Sequence, residues 1–161
     1  MGEIIKVGMA DLKTCISPNG LTTLGLGSCV GIALRDPIKK VGGMVHIMLP
    51  DSTAIRTERV NLAKFADTGI PELIRQMEQL GADKTRLTAK IAGGATMFAS
   101  HNSNAIQVGP RNVEATIRIL GELKIPILAN DTGANYGRTV TFFPETGDYL
   151  IRAVGKGEKV I

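Results

Sequence analysis

Hydrophobic and polar positions alternate along the first third of the chain, which is the pattern of half-buried β-strands. The alternation begins in EIIKVGMADL, and the turn cluster SPNG follows it. Next come three apolar runs separated by short polar breaks: LTTLGLG, CVGIALRD and VGGMVHIMLPDS. Because such short breaks leave no room for crossover helices, the pattern predicts antiparallel hairpins in this part of the chain.

Two later segments carry the three- and four-residue spacing of amphipathic helices. The first covers residues 61–80, and Gly81 supplies its C-terminal stop. Pro71 predicts a kink or a restarted helix near Ile70. The second covers residues 109–123 and has Pro110 in its first turn. Its predicted inner face carries three apolar residues: Val113, Ile117 and Leu120.

The remaining segments predict further strands. Alternation returns in RLTAKIAGGATMF, which contains a pair of glycines suited to close packing or contact with a ligand. Three more strands follow, IPILAND, RTVTFFPE and DYLIRAV, with a hairpin at ETGD between the last two. This order predicts an α+β protein with a mixed, sandwich-like β core flanked by two main helices. No repeat or linker divides the chain, so we expect residues 1–161 to form a single domain, with the polar loop 99–107 its most mobile segment.

Composition and charge narrow the functional classes. Hydrophobic residues make up 43% and charged residues 21%, which is the balance of a globular protein rather than a disordered one. The net charge of +4 favours an acidic partner, but no basic stripe with interleaved aromatic residues indicates nucleic acid. No apolar run is long enough to cross a bilayer, and the charged N-terminus does not resemble a signal peptide. We therefore expect a cytoplasmic protein without membrane insertion.

Spacing excludes several familiar sites. Gly25, Gly27 and Gly31 depart from the G-x-G-x-x-G pattern of dinucleotide-binding loops, because Val30 stands where the third glycine belongs. The segment AGGATMF lacks the Lys-Ser/Thr pair of a phosphate-binding loop. Both histidines stand apart from any carboxylate at metal-ligand spacing. The sequence therefore predicts neither a metal nor a cofactor.

A thiol and an imidazole remain as candidates for chemistry. Cys29 lies in a glycine-rich bend, and His46 lies in the third apolar run. A small buried cysteine and a core histidine are the plain interpretations of these residues. The chain after Cys29 turns at Asp36 and Pro37, however, and can return beside itself, which brings His46 toward the bend. Cys15 has no histidine pattern near it and is predicted to be a buried hydrophobe, and the reducing cytosol argues against a disulfide.

A thiol beside an imidazole can lose its proton to it, and the resulting thiolate–imidazolium pair attacks carbonyl carbons. Such a pair needs a third group to orient the imidazole, and the hydroxyls of Thr22 and Thr23 are the candidates. Either threonine is otherwise an ordinary strand residue. A neutral hydroxyl stabilises imidazolium less than a carboxylate does, so we expect a modest catalyst. The backbone N–H groups of Gly27, Ser28 and Cys29 are the candidates for binding an oxyanion.

Five blocks of sequence, in this order and spacing, resemble the CheD family of chemoreceptor glutamine deamidases. The blocks are TLGLGSCVGIALRDP, VGGMVHIMLPDS, KIAGGATMF, RNVEAT and NDTGANYGR. The resemblance runs from KVGMADL to RAVGKGE and so covers nearly the whole chain. Pro71 departs from the smooth helix that would be usual, which bears on helix geometry rather than on catalysis.

The resemblance implies a cytoplasmic cysteine amidohydrolase that converts receptor glutamines to glutamates through a thioester, without a cofactor. The family's triad falls on Cys29 as nucleophile, His46 as general base and acid, and Thr23 as the orienting residue. The implied fold is like the catalytic domain of the cytotoxic necrotizing factor toxins. The family also implies hydrolysis of receptor glutamate methyl esters, the cytoplasmic helical domain of chemoreceptors as substrate, and the phosphatase CheC as a partner that holds deamidation back.

Two other functions are compatible with these residues. One is a thiol hydrolase of small amides or esters, which needs a closed pocket. The other is a docking regulator of CheC and receptors with little catalysis. For a protein substrate, the predicted contact surface is the rim of the bend together with the turn after the third apolar run: Gly25, Leu26, Gly27, Ser28, Asp51 and Ser52.

Overall fold

The computed structural model describes residues 2–53, 61–97 and 107–161. Within these ranges the chain forms ten β-strands and two α-helices. The strands are β1 (Ile4–Lys6), β2 (Leu12–Ile16), β3 (Gly20–Leu26), β4 (Val30–Asp36), β5 (Val41–Ile47), β6 (Thr88–Gly93), β7 (Ile127–Thr132), β8 (Arg138–Phe143), β9 (Asp148–Ala153) and β10 (Gly157–Val160). The helices are α1 (Ala66–Gln79) and α2 (Val108–Glu122), and short 3₁₀ turns cover Leu62–Lys64 and Lys84–Arg86.

The strands form two five-stranded sheets, which we call the outer sheet and the central sheet. The outer sheet has the order β1-β3-β8-β9-β10, and the central sheet has the order β2-β5-β4-β6-β7. Neighbouring strands are antiparallel except for β1 with β3 and β6 with β7. The parallel pair β6–β7 requires a crossover connection, which α2 provides. The α+β class with a mixed β core is therefore confirmed.

The central sheet separates two hydrophobic cores. Val30 and Ile32 of β4 pack with the apolar faces of α1 and α2. Cys29, Ala33 and Met44 pack instead with side chains of the outer sheet. Because successive side chains of a strand point to opposite faces, the central sheet lies between the helices and the outer sheet. The two main helices thus flank a sandwich of sheets, as predicted.

The hairpin of β4 and β5 forms as expected, whereas β3 pairs within the outer sheet and makes no hairpin with β4. The register of the β4–β5 hairpin places Gly31 opposite His46. Asp36 holds the turn, because its carboxylate accepts hydrogen bonds from two backbone N–H groups there at 2.9 and 3.1 Å. This fully buried carboxylate also pairs with Arg86 at 2.8 Å, which offsets the cost of burying its charge. The predicted return of His46 toward the bend is confirmed.

The single first strand predicted over EIIKVGMADL is wrong. β1 ends at Lys6 and pairs in parallel with β3, while β2 begins at Leu12 and pairs antiparallel with β5 in the other sheet. Between them Ala10 has a φ of 54°, in the left-handed region that a strand does not use. The alternation of hydrophobic and polar residues indicates which face of a sheet each side chain occupies, but it does not identify the neighbouring strand. It therefore cannot show that the chain passes from one sheet to the other.

The predicted break in the first helix lies earlier in the chain than expected. Phe65 is extended, with φ −116° and ψ 143°, and α1 then continues through Pro71. Phe65 forms a β-bridge with Leu49, and the Ala66 N–H donates to the Leu49 carbonyl at 3.0 Å. This contact with the chain after β5 interrupts the helical segment, and it is invisible to local periodicity. Gly81, with φ 100°, follows the end of the helix as predicted.

α2 buries a different face from the one predicted. Leu120 is buried, but Ile117 is 42% exposed and Val113 is only partly buried. The residues buried on α2 are Gly109, Asn112, Ala115, Thr116, Ile119 and Leu120. Two of them are polar, so a search for apolar spacing misplaces the face.

The C-terminal segments follow the predicted order with one addition. The β8–β9 hairpin turns at the predicted ETGD. β10 pairs with β9, and all of its residues are exposed, so no apolar pattern announces it. Residues 99–106 of the predicted mobile loop lie outside the described residues. No helix in the described ranges is long and apolar enough to cross a membrane.

Candidate active site

Cys29 lies at the end of the bend between β3 and β4, and hydrogen bonds hold the bend carbonyls in place. The bonds join Ala95 N–H to the Gly27 carbonyl (2.8 Å), Asn112 Nδ2 to the Ser28 carbonyl (2.9 Å) and Gly94 N–H to the Cys29 carbonyl (2.8 Å). In a trans peptide the N–H points opposite to the carbonyl. Fixing the carbonyls of Gly27 and Ser28 therefore directs the N–H groups of Ser28 and Cys29 away from these supports, as an oxyanion site requires.

Glycine is required where β6 approaches the bend. Gly93 has a φ of 107°, and a Cβ at this position would lie 2.2 Å from the Cys29 carbonyl oxygen. Only glycine allows both this conformation and this approach. On the bend itself, a Cβ at Gly27 would meet Met97 Cγ at 3.2 Å. Close packing thus explains the glycine at the end of β6, which the sequence left open between packing and ligand contact.

Cys29 and His46 lie on the same face of the central sheet. Gly31 pairs with His46 in the β4–β5 register, and Cys29 precedes Gly31 by two residues. Diagonal neighbours on paired strands share a face of the sheet, and their backbones are about 7–8 Å apart across the pair. Cys29 is 8% exposed and His46 only 1% exposed. The thiol is therefore at the margin of the core, and the imidazole lies inside it.

The outer sheet supplies the group that orients His46. Thr23 Oγ1 lies 2.7 Å from His46 Nδ1 and 2.8 Å from the Val7 carbonyl oxygen. A carbonyl can only accept, so the hydroxyl proton goes to Val7 and Thr23 accepts from an Nδ1–H of His46. The imidazole is then the tautomer with an unprotonated Nε2. Thr22, the other candidate, bonds within the outer sheet, donating to the Val140 carbonyl at 2.8 Å.

The free nitrogen of His46 and the thiol are both in an environment that disfavours charge. Nε2 is buried and has no hydrogen-bond partner among the described residues, an arrangement that costs about 1–3 kcal/mol. Burial lowers the pKa of the His46 imidazole and raises the pKa of the Cys29 thiol. Both directions favour the neutral forms, so a resting thiolate–imidazolium pair is disfavoured. Proton transfer from the thiol to Nε2 is thus expected during attack and not before it.

Asn112 on α2 contacts the bend, although the sequence analysis did not single it out. Its Nδ2 donates to the Ser28 carbonyl at 2.9 Å and to the Met48 carbonyl at 3.0 Å. The side chain is fully buried, and within the described part of the chain its Oδ1 has no hydrogen-bond partner. The available signal was an asparagine in RNVEAT at helical spacing from Ala115 and Ile119, which are also buried.

The remaining predicted contact residues have different environments. Gly25 is exposed, with φ 67°, whereas Leu26 is fully buried between the sheets, so its side chain is not part of a surface for substrate. Asp51 is exposed. Ser52 donates from its N–H and hydroxyl to the Asp67 carboxylate at 3.0 and 2.7 Å, which anchors this turn to α1. In the described ranges no three His, Cys, Asp or Glu side chains are grouped to hold a metal ion.

The fold and these contacts define a class: an α+β protein in which a cysteine-bearing bend adjoins a histidine that is held by a threonine hydroxyl. Comparison with known families gives the next step. The family model described as CheD chemotactic sensory transduction matches residues 48–153. This match begins after His46, so it includes none of the three side chains.

Full-length relatives extend the similarity to the whole chain. "Probable chemoreceptor glutamine deamidase CheD" of Lachnoclostridium phytofermentans is 62% identical over 162 residues, covering 100% of both chains. The protein of the same name from Caldanaerobacter subterraneus is 55% identical, covering 99% of this chain and 98% of the relative. "Chemoreceptor glutamine deamidase CheD" of Halalkalibacterium halodurans is 50% identical over 100% of both chains. The chain belongs to the CheD family, which confirms the resemblance stated from its sequence blocks.

Proposed function

We propose that this chain is a chemoreceptor glutamine deamidase, a cysteine amidohydrolase that converts glutamine side chains of chemoreceptors to glutamates in the cytoplasm. The names of relatives at 50–62% identity support the substrate. The chemistry rests on one observation, the Thr23–His46 hydrogen bond, because it leaves Nε2 unprotonated on the face that carries Cys29. Residues 1–161 act as one CheD-type domain in this proposal.

The first step is attack by the Cys29 thiol on the carbonyl carbon of the glutamine side chain. The thiol proton passes to His46 Nε2 as the carbon–sulfur bond forms, so charge develops only when the substrate is present. The negative charge that appears on the substrate oxygen is bound by the N–H groups of Ser28 and Cys29. The hydrogen bonds to the bend carbonyls support this role, since they hold those peptide planes before substrate binds.

The tetrahedral intermediate then loses ammonia. His46 Nε2–H gives its proton to the leaving nitrogen, the carbon–nitrogen bond breaks, and a thioester on Cys29 remains. Water next attacks the thioester while Nε2 takes its proton. The carbon–sulfur bond breaks, the sulfur recovers the proton from Nε2, and the product is glutamate. No cofactor takes part in any of these steps.

Thr23 acts through His46 in this mechanism. Its oxygen accepts from Nδ1–H, and its own proton is committed to the Val7 carbonyl, so the hydroxyl cannot rotate away without losing a bond. As a neutral acceptor it stabilises the transient imidazolium less than a carboxylate would. We therefore propose a modest rate, suited to a regulatory modification and not to metabolic flux.

The same thioester chemistry extends to esters. A glutamate methyl ester presents the same carbonyl carbon, and methanol leaves in place of ammonia, so receptor methyl ester hydrolysis belongs to the proposal. The net charge of +4 favours a receptor helix that is acidic and becomes more so with each turnover. The phosphatase CheC is included as the partner that the family resemblance implies, with the bend rim as its proposed contact.

Peptide mass spectrometry of a receptor cytoplasmic fragment tests the proposed function. The fragment is incubated with the wild type, with Cys29→Ala and with His46→Ala, and a small glutamine analogue is offered in parallel. We expect the wild type to convert defined receptor glutamines to glutamates and both variants to leave them unchanged.

Three results would overturn parts of this proposal. Turnover of the small analogue without turnover of the receptor would reassign the chain to hydrolysis of small amides. A receptor left unchanged by the wild type, but still bound by it, would make the chain a docking regulator. Conversion that survives Cys29→Ala would remove the thiol from the mechanism.

A further inference from the structure

We propose that Asn112 is a positioning residue of this site: its carboxamide fixes the Ser28–Cys29 peptide so that the Cys29 N–H is aimed at the reacting carbonyl oxygen. The inference rests on the proposed thiol chemistry and assigns the support of its oxyanion site to α2. Asn112 lies in the block RNVEAT, to whose residues the sequence analysis gave no chemical role of their own.

Asn112 holds the peptide that joins Ser28 to Cys29. Its Nδ2 donates to the Ser28 carbonyl at 2.9 Å, and the N–H of the same peptide plane belongs to Cys29. Because a peptide is planar and trans, fixing its carbonyl fixes the direction of its N–H. The amide of Asn112 and the oxyanion would therefore occupy opposite ends of one rigid unit.

Both protons of the Asn112 carboxamide are used. The second contact is with the Met48 carbonyl at 3.0 Å, two residues beyond His46 at the exit of β5. One side-chain amide thus joins the bend that carries the thiol to the strand that carries the imidazole. The assignment of Nδ2 follows from the chemistry, because an amide oxygen in its place would face two carbonyl oxygens.

α2 packs closely against residues 94 and 95, which bond to the same bend, so Asn112 has a rigid base. A Cβ at Gly109 would lie 2.2 Å from the Ala95 carbonyl oxygen, and a Cβ at Gly94 would lie 2.2 Å from Val113 Cγ2. The backbone of residues 94 and 95 also donates to two carbonyls of the bend. The helix therefore supports the bend along two routes, through this backbone and through the Asn112 side chain.

The test compares two reactions of Cys29 that differ in their need for oxyanion donors. Acylation by p-nitrophenyl acetate passes through an oxyanion, whereas alkylation by iodoacetamide does not. Both rates are measured in a Cys15→Ser background for the parent, for Asn112→Ala and for Asn112→Gln, together with kcat and KM on the receptor fragment. Thr116→Val is the matched control, because this buried hydroxyl lies one turn away and donates to the Asn112 carbonyl at 2.8 Å and not to a carbonyl of the bend.

We expect Asn112→Ala to lower the acylation rate and the receptor kcat by about 10²-fold, which is the typical effect of losing one oxyanion donor. The alkylation rate and KM should change less than about threefold. Asn112→Gln keeps the donors but shifts them by a methylene, so its acylation rate should fall between those of the parent and the alanine variant. Thr116→Val should leave the ratio of acylation to alkylation unchanged. If the alanine variant does not fold, the same ratio in the glutamine variant decides.

An unchanged ratio in the folded variants would overturn the inference, as would an equal fall in both rates, since that would reflect general loosening of the site. A parent that acylates Cys29 but leaves receptor unmodified would contradict the proposed substrate while the ratio still tests Asn112. The two failures are therefore distinguishable.

Discussion

The two cysteines of this chain lie in the same core and differ in what surrounds them. Cys15 and Cys29 are both free and both pack between the sheets, where burial raises the pKa of each thiol, that of Cys15 to about 11. Cys15, on β2, stands opposite Gly42 of β5, and its thiol donates to the Asn19 carbonyl at 3.5 Å. Cys29 precedes Gly31, the residue opposite His46, by two positions, and Nε2 of that imidazole has no hydrogen-bond partner among the described residues. Burial therefore does not distinguish the two thiols, whereas the nearby imidazole and the held bend do.

The largest effect should come from exchanging the two thiols for alanine one at a time. Cys29→Ala removes the proposed nucleophile, and we expect receptor deamidation to fall by at least about 10⁴-fold. Cys15→Ala removes only a packing group, with a stability loss of about 1 kcal/mol and kcat within about twofold of wild type. Initial rates from peptide mass spectrometry and thermal unfolding check both. Equal losses of activity in the two variants would erase the distinction between them.

His46→Ala should have the next largest effect. Removing the proposed general base and acid is expected to lower kcat by about 10²- to 10⁴-fold, while Cys29 remains in place. Alkylation by iodoacetamide adds a direct comparison, since Cys29 should react about tenfold faster than Cys15 in wild type and lose this advantage in the variant. A Cys29 rate that does not respond to His46→Ala would mean that the imidazole does not serve the thiol.

The two neighbouring threonines sharpen the same point with a smaller change. Thr23→Val leaves the Nδ1–H of His46 without its acceptor, which should cost about 1–3 kcal/mol of transition-state stabilisation, roughly 5- to 150-fold in kcat. Thr22→Val, one residue away, breaks only contacts within the outer sheet and should leave kcat nearly unchanged. Thr23→Ser retains the hydroxyl and should restore most of the rate. A Thr22 variant as impaired as the Thr23 variant would point to sheet packing instead of imidazole orientation.

The smallest expected effect is a displaced acid limb in the pH profile. Burial lowers the pKa of His46 below the usual histidine pKa of about 6.5, so the imidazole stays neutral at a lower pH than an exposed histidine does. The value of kcat/KM should therefore begin to fall only below about pH 6.5. Between the folded-state pKa and about 6.5 the unfolded chain binds more protons, so stability rises with pH across this window. Measurement of kcat/KM and of urea unfolding against pH checks both signs. An acid limb centred above 6.5 would contradict the assignment.

Local chemistry explains which parts of the fold could be predicted from the sequence. The return of His46 to the bend depends on the turn after β4, where Asp36 bonds to backbone N–H groups two and three residues ahead. The residues that form such a turn are adjacent in the sequence, so local sequence predicts it. The sequence also indicated that a threonine of β3 orients His46. The residues alone did not distinguish Thr22 from Thr23, and the family resemblance selected Thr23.

Contacts distant in sequence explain what could not be predicted. Asn112 reaches Ser28 across 84 residues, and no local pattern distinguishes its side chain from an exposed asparagine. The split of the first strand likewise depends on β1 and β2 finding partners in different sheets. The buried face of α2 was misplaced because Asn112 and Thr116 occupy it with polar side chains.

The proposed mechanism places the acyl group on Cys29, and trapping that intermediate is its decisive test. The protein is mixed with a receptor-derived glutamine peptide, quenched in acid within a turnover, and examined by intact and peptide mass spectrometry. We expect a peptide thioester on Cys29 in the wild type and in Cys15→Ala, and none in Cys29→Ala. Deamidation that proceeds with no adduct on Cys29, or with the adduct on Cys15, would contradict it.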